Sequence, residues 1–258
     1  MTNIYVADFV FVLLIFVRIV SAFFAAPVLG HKAFPALAKI FVAFLLAYVV
    51  YFSLPDKTLK IEITLWSLAA NIFKEVITGL ILGFSLNLVF YGVSYAGTLI
   101  GFDMELAMAE VLNPGEDVSN NAIGEVFYLG AMLVFLLING HHFLIQALSY
   151  SFKIIPLGKF SVTKPVYDLL LVYSASVFVI AVKIASPILV SFFLINIAEG
   201  ILARIIPQMQ VFFVTQPLKL MIGFLMLAFI VPVYIYVLKG LLRNFEDGLL
   251  TLIKAIGT

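Results

Sequence analysis

Six apolar stretches, each long enough to cross a lipid bilayer, constrain this chain more than any other feature. They cover residues 4–29, 34–54, 64–102, 123–148, 166–197 and 211–238. A helix needs about 20 apolar residues to cross the hydrocarbon core of a membrane. The sequence therefore predicts an all-α membrane protein with about six long apolar helices.

The overall composition excludes a soluble domain. Of the 258 residues, 64% are hydrophobic and 11% are charged, and the mean hydropathy is +1.19. Soluble domains are roughly half apolar and about a quarter charged. The net charge of +1 offers no clustered basic face, so no nucleic-acid partner is predicted. The chain has no cysteine, which excludes disulfides and cysteine-ligated metals.

The later apolar stretches predict bent helical hairpins. At a rise of ~1.5 Å per residue, the third stretch would reach roughly 58 Å, about twice the hydrocarbon thickness. Either it bends, or part of it lies outside the lipid. Pro187, Pro217 and Pro232 fall inside apolar stretches, where a proline removes a backbone hydrogen bond and kinks a helix.

Polar residues interrupt the apolar stretches. An ionisable side chain facing lipid at mid-bilayer is destabilising by at least ~2.5–3.5 kcal/mol. We therefore expect these residues to face protein, water or one another, with Lys74 and Glu75 the clearest case. The interrupting residues are Asp8, Arg18, Asn71, Lys74, Glu75, Asn87, Lys183 and Lys219.

A stripe of small residues continues from Glu75. Gly79 and Gly83 follow it at intervals of four residues, and Gly97 and Gly101 repeat the spacing. Small residues four apart let another helix approach closely. The pattern predicts helix packing, either within this chain or against another subunit.

Residues 103–117 form an acidic segment in a part of the chain without lysine or arginine. Met104 and Met108 lie one helical turn apart, and Asn113-Pro114-Gly115 is a turn signal. The segment is either a solvated acidic loop or an insert that plugs or lines a conduit, where methionines can seal irregular gaps. Its carboxylates belong to Asp103, Glu105, Glu110, Glu116 and Asp117.

Catalytic signatures are absent from the sequence. It contains no H-E-x-x-H, phosphate-binding loop or G-x-S-x-G motif. His141 and His142 are adjacent and would point about 100° apart on a helix, which does not suit chelation of one ion. We predict no catalytic residues, no bound metal and no cofactor, and an enzyme is the least favoured class.

Several separated motifs together resemble one known family. They are Arg18 with Ala26-Pro27, Gly30 and Pro35; Glu75, Gly79 and Gly83; Gly97 and Gly101 leading to Met104; Asn113-Pro114-Gly115; Asn139-Gly140-His141; Pro156-Leu157-Gly158; and Asn196, Gly200, Arg204, Pro207-Gln208 and Pro217. In order and spacing they resemble the flagellar biosynthesis protein FliR family and its counterparts in virulence type III secretion. The chain departs from that pattern at Glu105, where a small residue is usual, at Glu199, where a leucine is usual, at Ala203 and at Thr215-Gln216.

The resemblance implies an export-gate subunit in the bacterial inner membrane. Residues 1–165 would be FliP-like and residues 166–258 a FliQ-like kinked hairpin with a C-terminal tail. FliP-like and FliQ-like subunits, FlhB-like and FlhA-like export proteins, unfolded secretion substrates and membrane lipid would be its partners. Loop 103–121 would plug the channel, through Met104, Glu105, Met108, Glu110, Asn113, Pro114 and Gly115. Packing or subunit contact would involve Arg18, Lys74, Glu75, Gly79, Gly83, Gly97, Gly101, Arg204, Pro207, Gln208 and Pro217.

Two other classes remain open at this point. A secondary transporter would also show broken helices and buried charges, but it should contain a two-fold internal repeat, which this sequence does not clearly show. A structural membrane subunit without a pore role would tolerate changes in loop 103–121 without altered conductance or export.

Overall fold

The part of the chain that the structure describes is almost entirely helical. The computed structural model describes residues 2–31, 34–54, 64–106, 122–160, 163–208 and 210–257, and these ranges contain eight helices and no strand. The prediction of an all-α membrane protein is confirmed. The helices are α1 (Thr2–Ala25), α2 (Pro27–Gly30), α3 (Ala36–Ser53), α4 (Leu65–Asp103), α5 (Ala122–Leu137), α6 (Gly140–Ile154), α7 (Lys164–Ile205) and α8 (Val211–Gly257).

Helix ends follow the prolines in the sequence. Ala26, Leu54 and Ile155 each precede a proline and adopt ψ angles of 148°, 127° and 96°. A residue before proline is driven out of the helical region by the proline ring, so α1, α3 and α6 end there. The prolines inside the long helices act differently. Pro187 lies within α7, and Pro217 and Pro232 lie within α8, without ending either helix.

The helices cover the predicted spans, but the fourth span is divided, and α7 and α8 continue past the predicted ends at residues 197 and 238 to Ile205 and Gly257. Five are long and apolar enough to cross a membrane, or six if the broken pair α5 and α6 forms one span. The predicted stretch 123–148 is divided at Asn139, which adopts the left-handed conformation with a φ of 60°. Asparagine tolerates that conformation better than most residues. The over-long third stretch is one uninterrupted helix of 39 residues.

The chain forms two compact units. Unit 1 comprises Met1–Leu88, Leu136–Tyr173 and Leu242–Thr258, and unit 2 comprises Val89–Phe135 and Ser174–Leu241. Each unit has its own buried apolar side chains. In unit 1 they include Leu14 and Ile15 of α1, and in unit 2 they include Phe90 of α4 and Phe192 of α7. The predicted boundary near residue 165 rests on similarity to two protein families and stays a prediction.

Candidate functional site

Arg18 is the centre of a buried polar cluster in unit 1. Its Nε donates to Glu75 Oε2 at 2.5 Å, and neither side chain is exposed. Its terminal nitrogens donate to the Ile155 carbonyl oxygen at 3.2 Å, and Nη1 also reaches Ser151 Oγ at 3.4 Å. The Phe152 ring lies 4.4 Å from the guanidinium carbon. The charge is thus neutralised, and the buried donors have acceptors on α4 and at the end of α6.

Glu75 and Lys74 both bind Gly158, just after α6. The Gly158 amide donates to Glu75 Oε1 at 2.7 Å, and Lys74 Nζ donates to the Gly158 carbonyl oxygen at 3.0 Å. Gly158 has a φ of 75°, a conformation that glycine adopts without steric hindrance. Lys74 and Glu75 therefore do face protein, but the counter-charge of Glu75 is Arg18, 57 residues away. No short-range sequence pattern indicates a pair so far apart.

The small-residue stripe lies against α1 in the same unit. A Cβ atom on Gly79 would overlap the Arg18 carbonyl oxygen and Ser21 Oγ, and one on Gly83 would lie 2.9 Å from Ala25 Cβ. These glycines let the backbones of α4 and α1 approach closely. At these positions the stripe serves packing within the chain.

The end of α4, in unit 2, is a strained turn. Glu105 has a φ of 60°, its amide donates to the Phe102 carbonyl oxygen at 2.9 Å, and the Leu106 amide donates to the Gly101 carbonyl oxygen at 3.1 Å. This pair of bonds is the Schellman ending of a helix, and glycine is the usual residue at the left-handed position. A non-glycine residue there is destabilising by about 1–2 kcal/mol. The turn therefore needs a compensating interaction.

That interaction comes from Lys219 of α8. Its Nζ lies 2.5 Å from Glu105 Oε1 and 2.7 Å from Glu199 Oε2 on α7. The lysine side chain is 4% exposed and the two glutamate side chains are each 17% exposed. One ammonium thus joins α7, α8 and the turn that follows α4. The predicted site residues included Glu105 but neither Glu199 nor Lys219. The sequence did contain one indication of this site, because a buried lysine in an apolar stretch needs a counter-charge.

Met104 is fully buried beside this group of charges. A Cβ atom on Gly223 of α8 would lie 2.6 to 2.8 Å from the Met104 side chain, so the methionine occupies space that only a glycine leaves open. Gly97 also stands where a larger residue would not fit, because a Cβ atom added to it would lie 2.6 Å from Gly124 Cα. Gly101 is less constrained, because its nearest neighbour, Ile123, would be 3.6 Å from an added Cβ.

The remaining predicted residues divide into two sets. Arg204, Pro207, Gln208 and Pro217 are exposed around the connection from α7 to α8. The predicted plug residues beyond the turn lie outside the described residues. They are Met108, Glu110, Asn113, Pro114 and Gly115.

Comparison with known proteins identifies the family. Residues 9–245 match the family model of bacterial export proteins, family 1. The chain is 34% identical over 249 residues to the flagellar biosynthetic protein FliR of Bacillus subtilis, covering 95% of each chain. The chain belongs to this family. It is also similar to FliR of Escherichia coli, with 27% identity over 83% of this chain and 82% of the relative, and to FliR of Caulobacter vibrioides, with 29% identity over 83% and 86%.

Membership in the FliR family confirms the resemblance drawn from the motifs. The relatives are named for flagellar biosynthesis, and the family is one of export proteins. With its long apolar helices, this FliR-family chain is a membrane protein. Within the described ranges, no group of three His, Asp or Glu side chains could hold a metal ion.

Proposed function

We propose that this chain is a core subunit of the export gate of a flagellum or type III secretion system. With FliP-like and FliQ-like subunits it would form the channel through which unfolded substrate proteins leave the cell. The observation that carries the proposal is family membership along residues 9–245, shared with relatives named for flagellar biosynthesis. The gate would lie in the bacterial inner membrane, in contact with FlhB-like and FlhA-like export proteins.

The unequal coverage of the long helices supports an assembled state. In the most apolar 18-residue segment of α4, 61% of the residues are buried. In the corresponding segment of α8, only 6% are buried. Phe229 and Tyr236 of α8 are 82% and 81% exposed. Large apolar surfaces of this kind are covered by lipid or by other subunits. Arg204 and Gln208 are also exposed, at the connection from α7 to α8, and would offer polar contacts to a neighbouring subunit.

The proposal gives loop 103–121 the role of a plug in the channel. The loop itself contains no lysine or arginine, and its carboxylates other than Glu105, which pairs with Lys219, would stay hydrated in a pore mouth. Its methionines would close the narrow part against ions. Deletion of residues 106–116 should raise ion leakage through the assembled gate. Unchanged leakage in an assembled deletion variant would contradict the plug role and favour a structural subunit without a pore role.

No step of this function needs a catalytic centre. The polar clusters of both units are occupied by ion pairs between the chain's own residues. We infer that the chain acts as a channel component and not as an enzyme, and that it needs no cofactor.

The test is purification of the tagged chain from its native host in mild detergent, followed by mass spectrometry. Stoichiometric FliP-like and FliQ-like proteins are expected. Recovery of the chain alone, or only with copies of itself, would contradict the export-gate role.

A further inference from the structure

Lys219 has two carboxylate partners, and neither is held by any other group in the described part of the chain. Glu105 Oε1 and Glu199 Oε2 both contact its ammonium. The second oxygen of each glutamate is buried without a hydrogen-bond partner there. Two carboxylates thus share one ammonium.

The second carboxylate changes what happens when the first one leaves. A buried ammonium that loses its only counter-ion becomes an uncompensated charge, which is strongly unfavourable. Lys219 would instead keep Glu199 if Glu105 moved away. The Glu105 turn would also relax, because its left-handed backbone is held against a steric penalty. Both effects lower the free energy needed to detach this turn from α8.

We propose that Glu199 and Lys219 are positioning residues for Met104, with Glu199 competing with Glu105 for the Lys219 ammonium. When Lys219 holds Glu105, the turn stays on α8 and Met104 stays packed against Gly223. When Lys219 relies on Glu199 alone, the turn is free and Met104 leaves its place. The competition thus sets the fraction of time for which Met104 is buried.

Single-cysteine labelling tests the proposal, because the native chain contains no cysteine. Met104→Cys is introduced into the full-length tagged chain, and its reaction with N-ethylmaleimide is timed in native membranes. Glu105→Gln should raise the labelling rate about tenfold, since the turn loses its ion pair. Glu199→Gln should lower the labelling rate about threefold or more, because Glu105 is then the one glutamate paired with Lys219. Lys183→Met, which removes an exposed charge from α7, should leave it unchanged.

The opposite signs distinguish positioning from a general loss of structure, which would raise labelling in both glutamine variants. A higher rate in Glu199→Gln, or equal rates in the two variants, would overturn the proposal. The proposed competition rests on the proposed function only in the effect that movement of Met104 would have on the channel. Labelling can be read whether or not FliP-like and FliQ-like proteins co-purify, so a failure of the gate role and a failure of the competition are distinguishable.

Discussion

Units 1 and 2 each contain a buried ion-pair cluster, and the two clusters are built in opposite ways. In unit 1, Arg18 meets one carboxylate, Glu75, and the donors and acceptors of the pair are shared with backbone groups after α6. In unit 2, one lysine is shared by two glutamates, and Glu105 stands in a left-handed turn. A pair whose members have no alternative partner holds helices in one arrangement. A cation with a spare counter-ion permits exchange.

The largest expected effect follows removal of the counter-charge in unit 1. Glu75→Gln keeps an acceptor for the Gly158 amide but leaves Arg18 uncompensated. Loss of one partner from a buried pair should lower the free energy of unfolding by about 3–5 kcal/mol. Thermal unfolding of the detergent-solubilised chain measures this, with the exposed Glu125→Gln as the matched control. Equal stability of the two variants would show that Arg18 has another effective partner.

A smaller effect is expected at the glycines of the two units. Gly79→Ala places a methyl group against the backbone of α1, which cannot move separately from its helix, and should be destabilising by about 1–3 kcal/mol. Gly223→Ala meets only the Met104 side chain, whose flexibility lets it shift. Gly223→Ala should therefore lower the free energy of unfolding by less than about 1.5 kcal/mol. A Gly223 variant less stable than the Gly79 variant in the same unfolding assay would reverse the comparison.

The smallest effect is expected at the Glu105 turn. Glu105→Gly loses one ion pair but relieves the left-handed strain, and Lys219 keeps Glu199. The net change in unfolding free energy should be about 1 kcal/mol or less, because relief of roughly 1–2 kcal/mol of backbone strain offsets part of the lost ion pair. In the Glu105→Gly background, Glu199→Gln should lower the free energy of unfolding by more than it does in the native chain, because Lys219 then loses its last glutamate. The difference between the two backgrounds should be about 0.5–3 kcal/mol. Additive losses would mean that the two glutamates do not share the lysine.

The sequence predicted the helices better than the clusters. Apolar length and the pre-proline residues indicate most helix positions, because both act locally. The break at Asn139 was not predicted, since an asparagine and a glycine within an apolar stretch do not by themselves end a helix. The ionisable residues in apolar stretches indicated that partners must exist. The sequence did not indicate which residues pair, because the partners are far apart along the chain. The separation is 57 residues for Arg18 and Glu75, and 114 residues for Glu105 and Lys219. The contribution of Glu199 follows only from helix packing.

The comparison between the clusters is tested most directly by two single-cysteine reporters in otherwise unchanged chains. Ser151→Cys reports on the Arg18 cluster, where Ser151 is fully buried, and Met104→Cys reports on the Glu105 turn. If unit 1 is fixed and unit 2 exchanges, Met104→Cys should react with maleimide in native membranes about tenfold faster or more, through local opening. Equal rates, or faster reaction at Ser151→Cys, would contradict the account.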